Sequence, residues 1–118
     1  MSVANPVIRV DKFSVPQKSM KSFMALVEKT HGLLQQQPGF IRELILEQVD
    51  GASKFNIVTI AERQEQTAIE RAQRVITEFH EVKAFKPKET MQRLGIEADF
   101  GNYQPRRRSA QGEESETD

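Results

Sequence analysis

The sequence predicts an α+β domain of βαββαβ order, built on one four-stranded antiparallel sheet. Two long stretches of helical periodicity, strand-like alternation around each of them, and an Asp50-Gly51 turn between the two middle strands support this. The chain has 118 residues, enough for one domain with a modest core. The domain is expected over residues 1–104, with a disordered tail over 105–118.

Val7 to Val15 alternates as a first strand, with Ile8 and Val10 on one face and Val7, Arg9, Asp11 and Phe13 on the other. Ser14 with Gln17 suggests a capping box, and Pro16 suits a first helical turn. Met20, Phe23, Met24, Val27, His31 and Leu34 then recur at helical spacing and form a buried stripe, which Pro38-Gly39 ends. The methionines Met20, Met24 and Met91 are most simply core filler.

Phe40 to Val49 and Lys54 to Arg63 form a hairpin around Asp50-Gly51. Alternation puts Phe40, Leu44 and Leu46 on one face and Ile41, Ile45 and Val49 on the other. Gln66 to about Phe85 is the second long helix, with Ile69, Ala72, Ile76 and Phe79 on its core stripe, extended by Val75 and Val82. Pro87 starts a short helix ending at Gly95, and Glu97 to Tyr103 is the last strand. Beyond Pro105 the chain runs through Arg106-Arg107-Arg108 into Ser, Gly, Glu and Thr without a hydrophobic anchor.

This order is the ferredoxin-like, split-βαβ pattern, whose helices cover one face of the sheet. The strands carry apolar residues on both faces, so the second face also needs a cover. A two-fold partner supplies one, and two facing sheets make a barrel-like core. A homodimer is therefore expected.

Several classes of chemistry are excluded by composition. There is no cysteine, hence no disulfide, thiolate catalysis or thiolate metal site. Seventeen basic residues balance seventeen acidic ones, which argues against nucleic-acid binding and against attraction to an anionic membrane. An RNA-binding module of this topology would need stacking aromatics in the RNP pattern, and Phe40 and Phe55 do not supply it. No phosphate-binding glycine loop is present, and two histidines without a clustered carboxylate motif give no credible metal site. No cofactor or metal is expected. The first residues lack a signal-peptide pattern and no apolar run approaches membrane-spanning length, so a soluble cytoplasmic protein is the expectation.

The run from Arg9 to Phe40, with His31-Gly32 and the Pro38-Gly39-Phe40 step into the second strand, resembles the antibiotic biosynthesis monooxygenase family. So does the third strand, Phe55 to Ala61, running into Glu62-Arg63-Gln64-Glu65. The resemblance covers roughly Val7 to Tyr103, and order and spacing carry it more than any single motif. It implies a dimeric α/β barrel. It also implies a kinship with oxygenases that oxidise polyphenols or quinols without metal or flavin, although many relatives have no assigned activity.

Family members place a tryptophan where the third strand enters the second helix; here that residue is Arg63, and the chain has no tryptophan. The haem-degrading branch pairs that tryptophan with a first-strand asparagine, here Asp11, and a second-helix histidine. His80 is on that helix but is spaced too far from Arg63, so haem degradation is not expected.

A cofactor-free oxygenase needs a dry pocket, a base near neutral pKa and donors for the substrate anion. Histidine is the natural base. His31, on the buried stripe, is either that catalytic base or a hydrogen-bonded core histidine; His80 is more simply structural or exposed. Asn56, Asp11 and Arg63 are the candidate substrate-binding residues, each with a plain structural alternative. Tyr103 could cap the barrel rim or close a dimer contact. The two functions these residues allow are a cofactor-independent monooxygenase for a small aromatic, polyphenol or quinol-like compound, and a non-catalytic dimeric barrel that binds a small molecule or a protein.

Overall fold

The computed structural model describes residues 6–82 and 86–106. The order is β1 (Val7–Ser14), a 3-10 turn (Gln17–Ser19), α1 (Met20–Leu34), β2 (Phe40–Glu47), β3 (Ile57–Arg63), α2 (Gln66–Val82), α3 (Pro87–Leu94) and β4 (Glu97–Tyr103). The four strands form one antiparallel sheet in the order β2-β3-β1-β4. The α+β ferredoxin-like fold is as the sequence predicts. The expected end of the second helix and the tail from residue 107 lie outside the described residues.

Register divides the sheet into two unlike faces. Val7 and Phe13 of β1, and Ile57, Thr59 and Arg63 of β3, are buried on the face that carries the helices. Phe13 and Ile57 join Val15, Phe23, Val27 and Ile96 in the core, with Met20, Met24, Met91 and Leu94 packed around them. The Phe13 and Phe23 rings lie 4.8 Å apart at 58°, a favourable tilted contact. The opposite face presents Ile8, Val10, Val58 and Ile60 in the middle, Leu44 and Leu46 on β2, and Tyr103 on β4. Leu44, Leu46 and Tyr103 are 42, 44 and 53% exposed.

Three local expectations are corrected. The Ser14–Gln17 capping box does not form: neither the 3-10 turn nor α1 has a side-chain N-cap. Ser19, buried at the start of α1, instead donates its hydroxyl to the Leu94 carbonyl at 2.7 Å and ties α1 to the end of α3. The third strand begins at Ile57 rather than Lys54. Finally, Phe40 does not share a face with Leu44 and Leu46. A bulge between Phe40 and Arg42 pairs Phe40 with Arg63 and turns its ring toward the helices.

Gly39 and Gly95 each occupy a left-handed conformation for a visible reason. Gly95 (φ 73°) ends α3, and the Ile96 amide returns to the Met91 carbonyl at 2.9 Å. Gly39 (φ 84°) leads into β2 directly beneath α2, where an added Cβ would stand 2.6 Å from the Ala68 Cβ. Gly39→Ala therefore meets both a backbone penalty and a steric clash, and about 2 kcal/mol or more of stability should be lost. Urea denaturation of the two proteins measures this directly; equal stability would mean that α2 does not pack on this turn.

Candidate functional site

Between the helices and the sheet lies a cavity of about 580 Å³. Its walls are mostly apolar, from Phe23 and Val27 of α1, Ile69 and Ala72 of α2, and Met91 and Leu94 of α3. Its floor is the sheet, which contributes Arg9, Asp11, Thr59 and Arg63, and further polar groups, Thr30, Gln73 and Thr77 among them, line it from the helices. A ligand cavity of this kind, apolar with a few convergent polar groups, is the usual form of a small-molecule site.

The floor follows from strand register. Arg9 of β1 pairs with Ala61 of β3, and Ala61 pairs with Glu43 of β2. Since side chains on one row of a sheet point the same way, two charged residues flank a methyl group on the helix-facing side. One row further on, Asp11 pairs with Thr59 and with Phe100 of β4. Helix α1 crosses above this floor and places His31, 8% exposed, against it.

His31 and Glu43 meet through Nδ1 and Oε2, with side chains 10 and 14% exposed. Both atoms are shut off from water, and neither has a further hydrogen-bond partner among the described residues. Gln35, capping the end of α1, donates its amide to the other Glu43 oxygen. Burial lowers the His31 pKa below 6.5; Glu43 and then Asp11 oppose the shift, while the Arg63 charge adds to it. Burial likewise raises the Asp11 carboxyl above 3.8, against the pull of the Arg9 guanidinium beside it. Arg9 is steadied by Asp11, by Gln73 of α2 at 2.5 Å, and by the Phe100 ring 5.1 Å away.

The sequence-derived candidates separate. His31 and Asp11 come together at the cavity floor. Arg63 borders the cavity but is only 1% exposed, and its guanidinium donates to the carbonyls of Leu34 (2.9 Å) and Gln37 (3.5 Å) while lying 4.9 Å from the Phe40 ring. It secures the end of α1. Asn56 is not among the lining residues: its amide accepts from the Val15 N–H at 2.8 Å and donates to the Val15 carbonyl at 2.9 Å, closing the sheet between β1 and β3. His80 borders the cavity from α2, next to the Phe79 ring, and burial lowers its pKa too. Glu43, Gln35 and Gln73 were not foreseen. Glu43 had one visible signal, a charge two residues before Ile45 on a strand face that is otherwise partly apolar.

Among the described residues, no group of three or more histidine or acidic side chains is arranged to hold a metal, and no helix is long and apolar enough to cross a membrane.

No protein-family model matches the chain, and no curated protein matches it significantly. Solved structures do. Together they support the ferredoxin-like fold. The chain is similar to SnoaB, a cofactor-independent oxygenase from Streptomyces nogalater, with 25% identity over 88% of this chain and 96% of that one, at a TM-score of 0.63. A candidate monooxygenase from Shewanella loihica has 18% identity over 86% and 95% of the two chains, at a TM-score of 0.61. A ferredoxin-like dabb-family protein from Mesorhizobium loti has 14% identity over 86% and 97%, at 0.59.

The lowered pKa of each histidine sets a sign for stability against pH. In the unfolded chain both take up a proton near 6.5, before the folded protein does, so the unfolded state gains protons first as pH falls. Stability should therefore drop between about pH 7 and pH 5. Denaturant midpoints across that range measure the slope, and His31→Gln and His80→Gln should each flatten it. A slope that survives both substitutions would assign it to other groups.

Proposed function

We propose that the chain is a cofactor-independent monooxygenase acting on a small aromatic, polyphenol or quinol-like compound, with His31 as the base. The observation that carries this reading is a buried, largely neutral histidine at the polar floor of an otherwise apolar cavity. The likeness to SnoaB supports it. A base of this kind accepts the proton of a phenol or of a carbon between aromatic rings. The electron-rich anion then passes one electron to dioxygen, and the radical pair joins as a peroxide at a ring carbon that bears a hydrogen; the peroxide takes the proton back from the imidazolium and becomes a hydroperoxide. Loss of water leaves a carbonyl, so one oxygen atom enters the product and the other leaves as water. Asp11, held by Arg9, would meet a substrate hydroxyl, and a ligand against the apolar walls would displace water from the reacting carbon.

The thermal stability of the protein, followed in the presence of quinols, polyphenols, flavins and haem, tests for the ligand. Saturation at a hundredfold excess over Kd should add about 2.7 kcal/mol. With a stabilising phenol or quinol, oxygen uptake should follow, and His31→Gln should reduce its rate by about 10²-fold or more. Uptake undiminished in His31→Gln would remove the base assignment.

A second reading, a non-catalytic dimeric barrel that binds a small molecule or protein, is favoured by Arg63. At the position of the family tryptophan, it spends its donors on the end of α1. Ligand binding with no oxygen uptake would select this reading.

Either function is proposed to operate in a homodimer. Leu44, Leu46 and Tyr103, together with Val10 and Ile60, form an apolar sheet face that a second copy would cover. The wild type should sediment as a dimer at micromolar concentration, and Leu44→Glu with Leu46→Glu should yield monomer. A wild type that stays monomeric would leave this face without its expected partner.

A further inference from the structure

We propose that Glu43 is the positioning residue of this site: its carboxylate holds the Nδ1–H of His31, Gln35 holds the carboxylate, and Nε2 is thereby the nitrogen that accepts a proton from a ligand. The inference deepens the proposed role of His31 and rests on that reading for its catalytic consequence alone; the orientation itself stands on geometry. Nδ1 of His31 is in contact with Oε2 of Glu43, and both atoms are buried with no other hydrogen-bond partner among the described residues. A neutral imidazole has one N–H, and an ionised carboxylate can only accept. The contact is therefore satisfied only when the proton is on Nδ1, which leaves the Nε2 lone pair free.

Three neighbours make the arrangement specific. Ala61, between Glu43 and Arg9 on the same row, leaves room above the sheet for the imidazole and the carboxylate to meet. Gln35 belongs to the same helix as His31 and binds the second Glu43 oxygen, so the carboxylate is gripped from the end of α1. Arg63 holds that helix end through the Leu34 and Gln37 carbonyls.

Around His31, Glu43 of β2 is in contact, the charges of Asp11 of β1 and Arg63 of β3 act on it, and Arg9, Lys29 and His80 border the same cavity. Of these, Glu43 is the one in direct contact. When Nε2 takes a proton, the imidazolium forms against an existing negative charge, which favours the step, as a buried carboxylate does for a base histidine in hydrolases.

Nitrogen-15 NMR of histidine-labelled protein reads the tautomer and titration of His31 without any substrate, with His80→Gln assigning the two side chains. The wild type should show the Nδ1–H tautomer. Glu43→Gln, whose amide oxygen still accepts, should keep that tautomer while His31 titrates at lower pH; Glu43→Ala should lose the tautomer preference. An Nε2–H tautomer in the wild type, or an unchanged titration in Glu43→Gln, would overturn the proposal, even if Glu43→Ala fails to fold. With an oxidised substrate in hand, Glu43→Gln should lower kcat by about 10²-fold while KM holds within about twofold, and the acidic limb of the pH–rate profile should move to lower pH. A failure of oxygen uptake with every compound would sink the oxygenase reading and leave the tautomer result intact.

Discussion

The buried guanidinium of Arg63 is the constraint on which the site depends. It stands at the last position of β3, and its hydrogen bonds run to the Leu34 carbonyl at the end of α1 and to the Gln37 carbonyl in the turn beyond it. Helix ends leave carbonyls without partners, and burying them unpaired is costly. Backbone amides of the turn and the Gln37 side chain serve the other terminal carbonyls, while Arg63 ties the Leu34 carbonyl to the sheet and so fixes where α1 stops above it. His31 is one turn before that stop and Gln35 directly after the helix, so both inherit their position from it. The bulge at Phe40 completes the anchor by turning an aromatic face under the arginine.

The site has two kinds of wall because it has two kinds of element. Helices α1, α2 and α3 bring apolar side chains of the kind that fill a core, and here they enclose a space. The strands bring alternation, and on the helix-facing side of β1 and β2 that alternation delivers Arg9, Asp11 and Glu43. Buried charges persist where they are paired: Arg9 with Asp11, and Glu43 with His31 and Gln35. The result is a polar floor whose charges are nearly balanced, under helices that add mostly apolar side chains. That combination suits a small, mostly apolar ligand better than it suits a highly charged one.

The likeness to solved structures extends over most of the chain at low identity, as expected when a fold is set by pattern more than by individual residues. Among the departures, Arg63 is the most instructive. By sequence it is a candidate substrate-binding residue, whereas its surroundings make it a brace for α1. Asn56 is a parallel case. A polar residue near the start of a strand suggested a pocket contact, yet both ends of its amide are occupied by the backbone of Val15. Neither partner could be inferred from local sequence, because Asn56 and Val15 are separated by a hairpin and a helix.

What the sequence by itself determined was the order and type of the elements. Periods of 3.6 and 2 residues mark α1, α2 and the strands, Gly95 stops α3, and the stripe through Phe23, Val27 and His31 identifies the buried face of α1. These are local signals, legible because each repeats over several residues. The partners of His31 were decided only by tertiary structure. Glu43 and Asp11 come from different strands, and their meeting depends on a register that the bulge at Phe40 shifts and on a helix end that Arg63 fixes. Displacing one strand by a single residue would turn its charged side chains to the opposite face. A sequence read along its length records the alternation, but the contact is a property of how the strands are aligned across the sheet.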